Sequence, residues 1–162
     1  MPDRLVLRMR RALSQPSPSP ARPQGTCLVP FMPHEHAQKV HALLVRAYAQ
    51  GGGYVEPFPI WWTSLRDDAE YDPALCLIAV NGRGDLVGIA QCWTSAFIKD
   101  LAVDPAYRRR GLGSALLLET FRTFRERGAP FVELKVHADN PSGAARLYRA
   151  HGFEEIEAYR LA

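Results

Sequence analysis

Residues 97–128 read FIKDLAVDPAYRRRGLGSALLLETFRTFRERG, and this run decides the fold. It opens inside an apolar strand, residues 95–103 (SAFIKDLAV), which stops at Asp104-Pro105 because proline cannot donate to a β-ladder. Three arginines, 108–110, and two glycines, 111 and 113, come next. From Gly111 to about Arg127 the residues Leu112, Leu116, Leu117, Phe121 and Phe124 recur at helical spacing, and Gly128 supplies the stop. The alternating run 130–138 (PFVELKVHA) is then a second strand. Strand, turn, helix and strand in that order make a crossover, so the chain is an α/β domain with helices linking its later strands.

Moving outward, ALCLIAV (74–80) and LVGIAQCW (86–93) flank the turn-forming residues 81–85, which predicts a hairpin. The Arg83-Gly84-Asp85 tripeptide inside that turn reads as turn chemistry rather than an adhesion signal. TCLVPF (26–31) is strand-like, and residues 34–49 carry Ala37, Val40, Leu44, Val45 and Tyr48 at helical spacing. Three glycines and two prolines in 50–59 break the pattern before a short helix in 60–72. After residue 138, Asn140 is expected to cap a helix with Pro141 at its first position, running through Leu147 and Tyr148 to Gly152. A last strand covers 153–161. The expected order is β-α-α-β-β-β-α-β-α-β.

The chain has 162 residues, the size of one domain, and no apolar run approaches the roughly 18 residues that cross a bilayer. Its net charge of +3 is unevenly divided. Residues 1–25 hold five arginines and one acid, which leaves −1 on residues 26–162, so the globular part gives no electrostatic case for nucleic acid. Residues 1–25, with SQPSPSPARPQG after the arginines, are expected to form a flexible tail ahead of a single domain at 26–162. An arginine-rich, acid-poor start also fits a targeting segment. Cys27, Cys76 and Cys92 form no Cys-x-x-Cys pair and suggest buried free thiols in a reducing cytoplasm.

The arginine–glycine turn points to an anion. The first four N–H groups of a helix lack internal partners, the helix dipole adds positive charge there, and a phosphate satisfies both. Glycines at 111 and 113 let a ligand approach the backbone, and arginines offer forked donors. A Walker loop is excluded because no lysine follows the glycines, and a dinucleotide fingerprint because its third glycine is missing. A solvated basic turn before a helix remains the alternative.

Taken together, Leu101-Ala-Val-Asp-Pro105, Arg108-x-x-Gly111-x-Gly113, Asn140 and Leu147-Tyr-x-x-x-Gly-Phe153 resemble the GNAT superfamily of N-acetyltransferases. The resemblance covers residues 26–161 in element order and about 95–153 in motif. It implies a mixed, splayed central sheet flanked by helices, with acetyl-coenzyme A as co-substrate, no metal, and an amine acceptor. It also implies that Leu101, Ala102 and Val103 meet the pantetheine arm and thioester. Arg108, Arg109, Arg110, Gly111, Leu112, Gly113 and Ser114 would hold the pyrophosphate, Asn140 the coenzyme arm, and Tyr148 would donate a proton to the departing thiolate. Some relatives carry a glutamate base where this chain has Lys135, so Asp100 is the first candidate, with Glu133 or His137 acting through water behind it. A backbone N–H near Val103 is the candidate oxyanion donor.

The acceptor site is expected in segment 50–72. Tyr54, Phe58, Trp61 and Trp62 would offer apolar and cation–π contacts there, and Glu56, Asp67, Asp68 and Glu70 would draw in a cationic amine. The competing reading buries the tryptophans and solvates the acids. His34, Glu35 and His36 read as capping or exposed residues rather than metal ligands. The family usually has one more strand after Gly-Phe than this chain can fit, so a homodimer that completes the sheet is a further expectation. A non-catalytic acyl-coenzyme A-binding module and a transferase of longer acyl groups are the alternatives in function.

Overall fold

The computed structural model describes residues 4–14, 16–18, 25–49, 51, 53–140 and 143–161. Seven strands form one sheet. They are β1 (Arg4–Ala12), β2 (Thr26–Val29), β3 (Cys76–Asn81), β4 (Leu86–Trp93), β5 (Phe97–Val103), β6 (Phe131–His137) and β7 (Glu154–Leu161). The helices are α1 (Pro33–Ala47), α2 (Phe58–Arg66), α3 (Leu112–Glu126) and α4 (Ala144–Ala150). Strand order across the sheet is β2-β3-β4-β5-β6-β1-β7. Every neighbouring pair is antiparallel except β5 and β6.

That parallel pair has only two register partners, Phe97↔Glu133 and Ile98↔Leu134. Beyond them the strands diverge and the sheet splays open. On one face α3 and α4 pack over the strands, burying the stripe Leu112, Leu116, Leu117, Phe121 and Phe124. On the other, α1 and α2 bury Val40, Leu43, Leu44, Trp61 and Leu65 against Ile78, Ile89 and Ala102. Gly128 and Gly152 leave their helices at φ +80° and +90°, the left-handed conformation that glycine reaches without steric cost.

The first strand is the main departure from expectation. Arg4–Ala12 is no tail: it lies between β6 and β7 and pairs antiparallel with both. Leu7 and Met9 point into the α3/α4 core, while Arg8 and Arg10 lie on the opposite face. There both arginines bond Glu133, Arg8 Nε to Oε1 at 2.9 Å and Arg10 Nε to Oε2 at 2.7 Å. Arg11, on the core side, places its guanidinium 4.4 Å from the centroid of the Phe121 ring. The seventh strand therefore comes from the start of the chain, and the missing strand that argued for a completing partner subunit is supplied internally.

Two smaller corrections follow. Cys27 is exposed on the edge strand β2, while Cys76 and Cys92 are buried. Burial raises both buried thiols, Cys92 to about 12, so neither forms a thiolate near neutrality. Asn140 does not cap α4, which starts at Ala144 behind Gly143; the N–H of Gly143 bonds the Asn140 carbonyl at 3.1 Å. Pro141 lies outside the described residues. Among the described residues no helix is long and apolar enough to cross a membrane.

Candidate active site

β5 carries a bulge that decides which side chains reach the splay. Asp100 pairs with Gln91 and Ile98 with Cys92, which leaves Lys99 with no residue opposite it on β4. A regular strand would put Ile98 and Ala102 on one face. Here Ile98 packs with α3 and α4 and Ala102 with α1 and α2. Asp100 consequently shares the face of Ala102, beside the end of α1.

There Tyr48 donates its hydroxyl to Asp100 Oδ1 at 2.8 Å, and Lys99 Nζ donates to Asp100 Oδ2 at 2.8 Å. Both carboxylate oxygens are thus engaged. Burial raises the Tyr48 phenol strongly, with the Asp100 charge adding to it, so Tyr48 remains a donor. Tyr148 is 7% exposed; burial and then the Asp100 charge raise its pKa, keeping its proton at physiological pH. An edge contact with Phe153, with ring centroids 5.6 Å apart, holds its ring.

A cavity of about 800 Å³ runs along the splay. Its wall includes Lys99–Val103 from β5 and Leu134–Val136 from β6, together with Tyr148 and Asn140. Because β5 loses its partner strand beyond Ile98, alternate main-chain amides of that edge face the gap. At the far end the wall is Arg108, Arg109, Gly111, Leu112, Gly113 and Ser114, around the start of α3.

Arg109 has φ +63° and Gly111 φ +83°, a pair of left-handed residues that turns the backbone toward the helix start. A Cβ on Gly111 would meet nothing within 4 Å, whereas one on Gly113 would come within 3.3 Å of Leu147. The turn is therefore open on its outer side and closely packed on its inner side. An open helix N-terminus flanked by arginines suits a pyrophosphate, and the long gap leading from it suits the coenzyme's arm. The residues present fit acetyl-coenzyme A.

The three arginines are not equivalent. Arg108 donates to the Ala47 carbonyl at the end of α1 at 3.1 Å, and Arg109 lines the cavity. Arg110 is not among the lining residues and stacks on Tyr107, 5.1 Å from its ring centroid. Ser114 Oγ lies 2.8 Å from His151 Nε2. Burial, and then the Arg11 charge, lower the His151 pKa, so this ring is neutral at pH 7.

Of the other candidates, Glu133 lies outside the cavity wall. Burial alone would raise its pKa, but the hydrogen bonds from Arg8 and Arg10 outweigh that and hold it down. His137 is also absent from the wall, and its Nδ1 is buried without a partner. Among the described residues of the expected acceptor segment, only Gly51, Gly53 and Tyr54 line the cavity. Trp61 and Trp62 pack with Phe31, His41 and Phe58 in the α1/α2 cluster. Asp67 pairs with Arg66, and Asp68 and Glu70 cap backbone N–H groups. His36 Nδ1 accepts from the Met32 N–H at 2.9 Å, a capping role. Sequence reasoning missed Tyr48 and His151. Tyr48 fitted the apolar stripe of its helix, and nothing in the spacing links either residue to the site.

Residues 37–153 match the model of the acetyltransferase (GNAT) family, and the chain belongs to that family. It is 33% identical to a mycothiol acetyltransferase of Thermobispora bispora over 93% of this chain and 54% of the relative. It is 42% identical to the [ribosomal protein bS18]-alanine N-acetyltransferase of Escherichia coli over 49% of this chain and 54% of that protein. A GCN5-related N-acetyltransferase from Sphaerobacter thermophilus superposes with a TM-score of 0.84 at 30% identity, covering 99% of this chain and 51% of that one. The chain thus spans about half the length of the first of these relatives and of that structure.

Proposed function

We propose that this chain is an N-acetyltransferase that moves an acetyl group from acetyl-coenzyme A to a primary amine of a small molecule or peptide, within a ternary complex. One observation carries the reading. A single cavity joins the arginine-flanked start of α3, the unpaired edge of β5, a carboxylate held by two donors, and a phenol that keeps its proton.

Bound acetyl-coenzyme A supplies the acyl group and a sulfur leaving group. Arg108, Arg109 and the amides of Gly111–Ser114 hold its pyrophosphate, with Arg110 adding charge from outside the wall. Asn140 and the edge of Leu101–Val103 seat its arm. Asp100 takes the proton that an alkylammonium, with a pKa near 10.4, must lose before it attacks. An amide of the β5 edge near Val103 faces the carbonyl oxygen as charge develops there. Tyr148 passes its hydroxyl proton to the departing sulfur. The two buried thiols fit a reducing compartment, the cytoplasm.

Incubation with acetyl-coenzyme A and an amine panel tests this. Free thiol and an amine heavier by one acetyl group are expected. Coenzyme binding with no thiol released by any amine reduces the chain to an acyl-coenzyme A-binding module.

A further inference from the structure

We infer that the acceptor is an amine that carries an anionic group near the amine, as in an amino acid, an acidic peptide or an amino-phosphonate. This rests on the transferase reading of the same cavity and specifies its substrate class.

The end of the cavity away from the arginine turn is where an acceptor must enter, and its charges are few. Among the described lining residues they are Lys99, Asp100 and Lys135. The two lysines occupy the first positions past the last paired rung, Ile98↔Leu134, one on each strand of the fork. Asp100 is the only carboxylate on the described wall. Among the described residues no carboxylate forms an ion pair with Lys135, whose ammonium lies 5.7 Å from the Tyr159 ring centroid. The nearby acids are committed elsewhere, Glu133 to Arg8 and Arg10, and Glu157 to Arg8.

Two arguments follow from this arrangement. A wall with two lysines and one carboxylate at this end repels a polycation and draws in a molecule that brings negative charge. The second argument concerns Asp100 itself. Its Oδ2 is held by Lys99, so an amine that needs Asp100 must compete with that ammonium. Lys99 has a side chain 36% exposed and Asp100 one only 13% exposed, so a displaced Lys99 loses its partner in a partly dry site. An acid on the acceptor gives Lys99 a replacement partner in the same event. A neutral acceptor leaves that charge stranded, and a diamine adds a third.

The test uses amines matched in size and differing only at the far end. One set is 4-aminobutanoate, 3-aminopropylphosphonate, 4-aminobutanamide and 1,4-diaminobutane. The other is the C-terminally amidated tripeptides Ala-Asp-Ala-NH2, Ala-Asn-Ala-NH2 and Ala-Lys-Ala-NH2, in which only the middle side chain differs in charge. Acetylated products are measured by mass spectrometry, and kcat/KM by thiol release. In at least one set the anionic members should exceed the neutral member about tenfold, the size of two partly exposed ion pairs, with the cationic member lowest. Lys135→Gln and Lys99→Gln should each reduce the anionic-to-neutral ratio about threefold. The ratio is read within each variant, so a shared loss of catalysis cancels. The carboxylate and phosphonate arms separate the two sources of charge.

The proposal is overturned if neutral or cationic members match the anionic ones, or if both variants leave the ratio unchanged. It is also overturned if coenzyme binds calorimetrically but no member of either set is acetylated. Absence of coenzyme binding instead removes the transferase reading on which the proposal stands.

Discussion

Tyr148 and Asp100 line one cavity, and in the proposed reaction they have opposite duties, each depending on a neighbour that fixes its protonation or position. Tyr148→Phe removes only the hydroxyl. Single-turnover rates should fall about 10²–10⁴-fold while coenzyme affinity stays within error. Tyr48→Phe takes away the donor to Asp100 Oδ1 and keeps the ring in place. A hydrogen bond to a charged group contributes about 1.5–3 kcal/mol, so kcat/KM should drop at least about tenfold with unchanged circular dichroism. Arg109→Ala should weaken coenzyme binding and flatten its salt dependence, whereas Arg110→Ala, removing a side chain stacked outside the wall, should do less. Calorimetry at two ionic strengths separates them. At this scale the sequence exposed the residues that carry a motif and hid those that act through another. The Arg108–Ser114 turn stands out in the sequence because arginines beside glycines at a helix start are the residues that an anion site would require. Tyr48 does not, because its contact with Asp100 depends on a one-residue bulge at Lys99 that no local pattern announces.

Helices with a clean apolar stripe were the easiest elements to read. α3 buries the stripe expected of it, and Gly128 ends it. β1 was hidden because its polar face carries arginines and the residues after it are rich in proline and serine. Leu5, Leu7 and Met9 nonetheless alternate with Arg4, Arg8 and Arg10 about Val6, the period of a strand with one dry face. Met9 is 0% exposed, so Met9→Ala should cost about 2–5 kcal/mol in chemical denaturation, a loss no flexible tail would show. The Arg8–Glu133–Arg10 cluster makes a pH prediction. Glu133 titrates below its ordinary value in the folded chain, so its stabilisation is present above the unfolded pKa of about 4.3 and lost as pH falls through the lower folded value. Glu133→Gln should flatten the acid limb of the stability–pH curve below about pH 4. An unchanged acid limb would show that the cluster is not linked to folding.

Across the whole molecule the sheet is closed up by a segment from the opposite end of the chain. Removal of residues 1–13 would uncover facing edges on β6 and β7, and unpaired edges recruit other strands. The truncated protein should associate with rising concentration in size-exclusion chromatography, and a monomer as stable as the full chain would contradict this. The α/β class and the run of elements from β2 onward were readable from periodicity. The position of the first strand was not, because strand order is a long-range property. That order also sets a timetable for synthesis. Strand β1 is translated well before β6 and β7 and finds its neighbours only when those two strands have been made, a delay of roughly ten seconds at ordinary elongation speeds. For that interval a sticky apolar edge travels alone on the nascent chain. The arginines that flank its apolar residues then serve as gatekeepers, keeping the waiting segment in solution until its own sheet arrives to receive it.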